Sequence, residues 1–307
     1  MNLKLRTLLW FTNTVNPMQE KDLSKINSTR KQQLFSSELG KFLFDKKEKV
    51  YSTEDSNIDG IKIRIYRHSD APNQNVIIYF HGGGFVLFNI DSHDYITRRL
   101  CAMNQCTVIS VDYRLAPEAT FPAAHQDAYK AIQHIAENAA KYKINSSKIV
   151  LAGDSAGGNI AACAAHHFKN SLIKIAGLIL IYPWVDGKLK TKSIEQYKKG
   201  YLLTEETIHW FQEVYVPNEK DRLSPEISPI YQTDFTNLPP TFIITAEYDP
   251  LKDDGIAYVN KLKENNNKVW YKDYKGLPHA FINFSRISAE SKQCFYDIQA
   301  VLKEVFV

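Results

Sequence analysis

Lys148-Ile149-Val150-Leu151-Ala152-Gly153-Asp154-Ser155-Ala156-Gly157 joins two kinds of sequence. The first five residues are short, apolar and partly β-branched, as in a buried strand. The run after Gly158, Asn159-Ile160-Ala161-Ala162-Cys163-Ala164-Ala165, is small and helix-forming. A serine hydroxyl is a poor nucleophile near neutral pH and has to be held where a base reaches its proton. A sharp strand-to-helix turn does this, provided that the residues flanking the bend are small. Gly153 and Gly157 meet that condition, and the helix start points backbone N–H groups at any negative charge formed beside it. G-x-S-x-G alone also occurs as an ordinary tight turn. The strand before it and the helix after it favour a nucleophilic Ser155.

Outward from this turn, apolar strand-like runs recur at Ile61 to Tyr66, Val76 to Phe80, Thr107 to Val111, Ile149 to Ala152, Ala176 to Tyr182, Thr241 to Ala246 and Lys268 to Tyr274. Several are continuous blocks rather than alternating ones, which suits strands covered on both faces. Helical patterns separate most of them. Ala123 to Tyr142 carries Ala128, Ile132, Ile135 and Ala139 on one stripe, and Lys252 to Asn265 and Ala289 to Phe306 are similar. The alternation predicts an α/β domain with a mostly parallel sheet flanked by helices. Residues 1 to about 49 are helix-leaning and charged. The stretch from about 186 to 224 interrupts the alternation and holds a predicted helix from Thr204 to Val216. Both are expected to decorate the surface or to pack as a lid over one end of the sheet, giving one domain with an insertion.

The 307 residues suffice for a large core, and 44% hydrophobic with 23% charged residues is ordinary globular composition. A net charge of +4, with Lys and Arg dispersed, gives no nucleic-acid footprint. Lys188, Lys190 and Lys192 read as a solvated loop. Cys101, Cys106, Cys163 and Cys294 have neither C-x-x-C spacing nor histidines at zinc-binding intervals, so they read as reduced thiols in a cytoplasmic protein, with no metal and no cofactor. Leu8-Leu9-Trp10-Phe11 is broken at once by Thr12-Asn13-Thr14, which argues against an export signal, and no run approaches membrane-spanning length.

A nucleophilic serine requires oxyanion donors, a base and a group that orients the base. His81-Gly82-Gly83-Gly84 directly follows the strand Val76 to Phe80, and three glycines let the backbone approach a ligand closely. Donors there and at Ala156 would each contribute about 3 kcal/mol to the transition state. In sheets of this class the order is serine, acid, histidine. Asp249 lies just past the strand Thr241 to Ala246, at a strand C-terminal end where such sheets place functional groups. Asp253 and Asp254 compete but fall in the first turn of the next helix, where carboxylates are common for electrostatic reasons, and Glu247 is a weaker rival. Of nine histidines, His279 is the only one in the loop after the last strand. His166 and His167 lie too far along their helix to face Ser155. His68, His93, His125, His134 and His209 read more simply as surface or packing residues.

Five motifs in this order resemble the hormone-sensitive-lipase-like family of α/β-hydrolase carboxylesterases: His81-Gly82-Gly83-Gly84, Tyr113-Arg114-Leu115-Ala116-Pro117-Glu118, Gly153-Asp154-Ser155-Ala156-Gly157-Gly158, Asp249-Pro250-Leu251 and His279-Ala280-Phe281. They span roughly residues 61 to 284. The resemblance implies an α/β-hydrolase fold with a helical cap formed by about 1–49 and 186–224. It makes Ser155 the nucleophile, His279 the base and Asp249 its orienting acid. Gly83, Gly84 and Ala156 become the oxyanion hole, with His81 bracing the glycine loop and Asp154 placing the chain with the Gly-Asp-Ser-Ala-Gly members. Two departures leave the triad untouched: Asp254 stands where Glu is more usual, and Thr120 where a basic residue or His is frequent. Arg114 and Glu118 read as structural charges tying loops beneath the site.

The implied chemistry is hydrolysis of a small-molecule carboxylic ester through a serine acyl-enzyme, on short- to medium-chain acyl groups and without cofactor. Activity should fall on the acid side, because a protonated imidazole cannot accept the serine proton. Relatives are monomers, dimers or larger, so a homodimer stays open. Two other readings compete. A receptor of this fold lacks a working triad histidine, which His279 argues against, and a dehydratase would use the same pocket for elimination. Trp10, Phe11, Tyr201, Trp210, Phe211 and Tyr215 either line an acyl pocket or form the underside of cap helices.

Overall fold

Eight strands form one sheet in the order β1-β2-β4-β3-β5-β6-β7-β8 in a computed structural model of the protein, which describes residues 5–7, 23–32 and 48–307. The strands are β1 (Ser52–Ile58), β2 (Ile61–Arg67), β3 (Gln74–Phe80), β4 (Thr107–Asp112), β5 (Ile144–Asp154), β6 (Ile175–Ile181), β7 (Thr241–Tyr248) and β8 (Val269–Pro278). β1, β2 and β4 pair antiparallel, and every pairing from β4 through β3 to β8 is parallel. From residue 48 onward the helices are α1 (Asp94–Asn104), α2 (Ala123–Glu137), α3 (Ala139–Tyr142), α4 (Ala156–Phe168), α5 (Lys192–Gln196), α6 (Glu205–Tyr215), α7 (Lys252–Glu264) and α8 (Ala289–Val305).

The continuous apolar runs are explained by two apolar layers, one on each face of the sheet. Val76, Ile78 and Phe80 of β3 pack in one layer with Ala128 and Ile132 of α2, Ile160 of α4 and Val259 of α7. Ile77 and Tyr79 of the same strand pack in the other, with Ile96 of α1 and Phe295 and Ile298 of α8. Successive residues of a strand point to opposite faces, so a strand covered on both sides has no polar face to show.

β1 escapes the apolar reading because Ser-Thr-Glu-Asp-Ser-Asn-Ile is mostly exposed at a sheet edge, where charge discourages further pairing. The predicted helix from Ala123 to Tyr142 is two helices broken at Asn138. The predicted helix from Thr204 to Val216 runs from Glu205 to Tyr215, because Thr204 is its N-cap and accepts a bond from the Thr207 amide.

Ile26 and Thr29 are buried, and Ile26 lies in the α2–α4 layer, whereas Leu5 lies in the α1–α8 layer. The rest of the N-terminal stretch, including Trp10 and Phe11, lies outside the described residues. Lys188 and Lys190 lie exposed in a loop, as expected, and Lys192, also exposed, begins α5. All four cysteines are free and buried. No helix among the described residues is long and apolar enough to cross a membrane.

Candidate active site

The parallel strands all deliver their C-terminal ends to one edge of the sheet, and the candidate residues follow from that. β5 ends at Asp154 and α4 begins at Ala156, so Ser155 makes the whole bend, with φ 54° and ψ −116°. An L-residue held there costs about 1–3 kcal/mol and persists only where its surroundings fix it. The Ser155 amide donates to Ile181 O at 2.9 Å, and its carbonyl accepts from the Asn159 amide at 3.0 Å. The glycines are required by space. A Cβ on Gly157 would sit 1.9 Å from the carbonyl oxygen of Phe80, and one on Gly153 would sit 2.3 Å from the Gly157 carbonyl carbon.

Asp249 and His279 meet because β7 and β8 are neighbours in register. Tyr248 pairs with Pro278, so the residue after each strand projects from the same level. His279 Nδ1 lies 2.7 Å from Asp249 Oδ2, and Nε2 lies 3.0 Å from Ser155 Oγ. The acceptor-only carboxylate places the proton on Nδ1, which leaves the Nε2 lone pair facing the serine. Asp249 is fully buried, its second oxygen accepts the Leu251 amide at 2.8 Å, and the Tyr182 ring packs 4.6 Å from the imidazole.

The rival acids are accounted for elsewhere. Asp253 accepts the Ser193 amide and Glu247 the Gly276 amide. Burial, followed by the nearby carboxylates Asp186, Asp249 and Asp253, pushes Asp254 well above the usual carboxylate range.

The glycine loop follows β3. Gly83 and Gly84 have φ of 117° and 61°, open to glycine and strained for other residues. The Gly82 amide donates to Asp154 Oδ1 at 2.9 Å, while the amides of Gly83, Gly84 and Ala156 have no protein acceptor among the described residues. Tyr79 donates to the same Asp154 oxygen at 2.7 Å, and His93 Nε2 lies 3.3 Å from it. Burial opposes the charge on Asp154, but His93 and the Tyr79 hydroxyl outweigh it and hold the carboxyl below its usual range. Asp154 therefore ties the residue before the bend to the loop across from it.

His81 stacks on Tyr113 with ring centres 4.3 Å apart, and its Nδ1 donates to Gly82 O at 2.7 Å. Burial, followed by His93, pushes the His81 pKa down to about 3, so the ring is neutral. The Tyr113 hydroxyl donates to His81 O at 2.6 Å.

Two histidines read as surface or packing residues belong to buried polar networks. His93 is the one beside Asp154. His125 spans Tyr215 Oη and Asn159 Oδ1, each at 2.9 Å, and burial pushes its pKa down to about 4. Neither sits in a motif, and the partners that place them in the site, Asp154, Tyr215 and Asn159, lie on other elements, so no local pattern marked them. His166 is buried against Tyr258, away from Ser155, as expected. The motif charges are structural: Arg114 pairs with Asp127, and Glu118 pairs with Arg30.

Two aromatic residues of α6 pack against this loop. Tyr215 stacks on Phe85 at 4.1 Å, and a Cβ on Gly84 would meet the Phe211 ring at 2.2 Å. Tyr201 stacks instead on Tyr248, at 4.9 Å. No group of three His, Cys, Asp or Glu residues suited to a metal ion occurs among the described residues.

A family model described as alpha/beta hydrolase fold matches residues 77–283. An arylesterase of Saccharolobus solfataricus is 37% identical over 265 residues, covering 85% of this chain and 86% of that protein. An ethyl acetate hydrolase of Pseudomonas putida is 33% identical over 238 residues, covering 76% and 75%. The solved hyperthermophilic esterase from the archaeon Pyrobaculum calidifontis superposes with a TM-score of 0.93 at 37% identity, covering 99% of this chain and 98% of that one.

Proposed function

Because the chain belongs to the hormone-sensitive-lipase-like family of α/β-hydrolases, we propose that it hydrolyses carboxylic esters with Ser155 as nucleophile, His279 as base and Asp249 as the acid that orients the imidazole. The observation that carries this reading is the Ser155–His279–Asp249 relay at 3.0 and 2.7 Å, built on a serine held at φ 54°.

His279 Nε2 takes the Ser155 proton as Oγ attacks the ester carbonyl. The negative oxygen of the tetrahedral intermediate receives the amides of Gly83, Gly84 and Ala156. The imidazolium, stabilised by Asp249, gives its proton to the leaving alcohol. Water then enters, His279 takes its proton, and the resulting attack releases the acid and restores the serine.

The cap in this reading comprises residues 186–224 with the N-terminal stretch to about 49, and α6 is its part over the oxyanion loop. Phe211 and Tyr215 close that side of the site, which fits short to medium acyl chains, and an ethyl acetate hydrolase among the relatives is consistent with it. The four buried thiols suit a cytoplasmic setting. A homodimer, if formed, has the outer edge of β8 available, with half-exposed Trp270 and exposed Tyr271, whereas β1 at the other edge carries Glu54 and Asp55. Sedimentation velocity decides between one copy and two.

The test is initial rates on p-nitrophenyl esters from acetate to palmitate, with Ser155→Ala run alongside. We expect rates that peak at short or medium chains and a loss on the order of a millionfold in the variant. Serine-independent turnover, or none from folded protein, refutes the assignment.

A further inference from the structure

The oxyanion loop is held on its far side by a side chain from the N-terminal stretch. Arg30 Nε donates to Val86 O at 2.8 Å, and one terminal nitrogen donates to Ala116 O at 2.6 Å. Both terminal nitrogens also reach Glu118, at 2.8 and 2.9 Å, in the two-pronged geometry that a guanidinium makes with a carboxylate. The carbonyls are not incidental ones. The amides of Val86 and Leu87 close the turn on Gly83 O, and the Ala116 amide donates to Phe85 O. Val86 and Ala116 thus belong to the two strips of backbone that pin the turn carrying Gly83 and Gly84. The Arg30 side chain is 17% exposed, and Ile26 and Thr29 beside it are buried, so the segment is docked.

We propose that Arg30 is a positioning residue for the oxyanion hole, a clamp between the N-terminal segment and the loop that carries the Gly83 and Gly84 amides, with Glu118 as its anchor. This explains why the carboxylate of the Tyr113-to-Glu118 motif sits near the site without touching the triad. The chemistry suits arginine and not lysine. One planar group reaches two carbonyls and a carboxylate at once, whereas an ammonium has no such fork. Donors misplaced by about 1 Å lose on the order of a hundredfold in rate even when the serine and histidine are intact. The clamp acts on the charged intermediate and not on the neutral ester, so its loss lowers kcat more than it raises KM.

The proposal rests on the ester hydrolase reading, and the experiment separates the two. Wild type, Ser155→Ala, Arg30→Ala, Arg30→Lys, Glu118→Ala and Lys169→Ala are assayed together on one p-nitrophenyl ester. Lys169 makes an ion pair with Asp234 that does not involve the loop, and serves as the control for losing a distant pair. We expect Arg30→Ala to lower kcat by about tenfold to a hundredfold with KM within about twofold. Affinity for a trifluoromethyl ketone, which forms a tetrahedral oxyanion on Ser155, should weaken by the same factor. Arg30→Lys should fail to rescue, Glu118→Ala should lie between, and Lys169→Ala should match wild type. Deuterium uptake over residues 82–88 should rise in Arg30→Ala. Should Arg30→Ala not fold, Arg30→Lys and Glu118→Ala carry the test. Folded Arg30 variants with wild-type kcat and ketone affinity overturn the clamp alone. Absence of Ser155-dependent turnover in wild type overturns the reading beneath it.

Discussion

The two glycine-rich turns of the site are built on opposite plans. The bend at Ser155 is fixed by backbone: the obstacles around Gly153 and Gly157 are main-chain atoms of the same strand–turn–helix unit and of Phe80 and His81. The loop at Gly82 to Gly84 is closed locally by main chain, with the Val86 and Leu87 amides on Gly83 O, but it is held to the rest of the site by side chains from elsewhere, namely Asp154, the His81–Tyr113 stack, the Phe211 ring and the arginine that grips its outer side. A turn fixed by main chain is rigid and local. A turn fixed by side chains can be released one contact at a time, and each contact is a place where rate can be tuned without touching the nucleophile.

After removal of the serine itself, the largest effect leaves both turns alone. Asp249→Asn keeps the shape of the acid but no longer holds Nδ1 as the protonated nitrogen, and kcat should fall about ten-thousandfold. Circular dichroism should be unchanged. A loss below tenfold would mean that the bend and the loop perform the reaction without an oriented base.

A matched pair of glycine substitutions tests the contrast itself. Gly157→Ala and Gly84→Ala should each lower kcat/KM by about a hundredfold or more. The obstacle in the first is a carbonyl and in the second an aromatic ring. Adding Phe211→Ala should therefore recover part of the Gly84→Ala loss, short of the strain from a positive φ, and recover nothing in Gly157→Ala. Equal rescue of both would abolish the distinction.

The smallest effect titrates the loop and not the bend. His81 is buried and neutral, with its pKa pushed down to about 3 from an ordinary 6.5. The unfolded chain takes up this proton first as pH falls. Its contribution is thus fully present above about 6.5 and is lost progressively towards about 3. Melting temperature should drop through that window, and His81→Phe, which keeps a ring against Tyr113, should flatten the drop. A variant as acid-sensitive as wild type would place the titration elsewhere, His125 being the next candidate.

The same contrast governs what the sequence makes legible. The bend is spelled out within ten residues, and the strand before Asp249 is a nearly continuous apolar run, whereas the edge strand before His279 is mixed, so the fold can be read directly and the proposed triad follows from the order of its motifs. β1 is missed because an edge strand needs no apolar face. His93, His125 and Arg30 are missed for another reason: each acquires its role from partners far along the chain, as with Arg30 and Glu118, 88 positions apart. Nothing within a turn or two of them announces it. The aromatic residues of α6 divide on the same ground. Periodicity alone leaves open whether Phe211 and Tyr215 face substrate or core, and it is their contacts with Gly84 and Phe85 that locate them.

The buried cysteines carry one more consequence. Cys101, Cys106 and Cys294 lie in the apolar layer with α1 and α8, and Cys163 lies on α4 against the opposite face of the sheet. Burial raises all four thiols, Cys101 to about 12, so the reactive thiolate is scarce as well as shielded. Each becomes chemically visible only when its own layer parts from the sheet. An alkylating reagent followed by peptide mass mapping would then record which side of the molecule opens first on heating, with no label added and no residue changed.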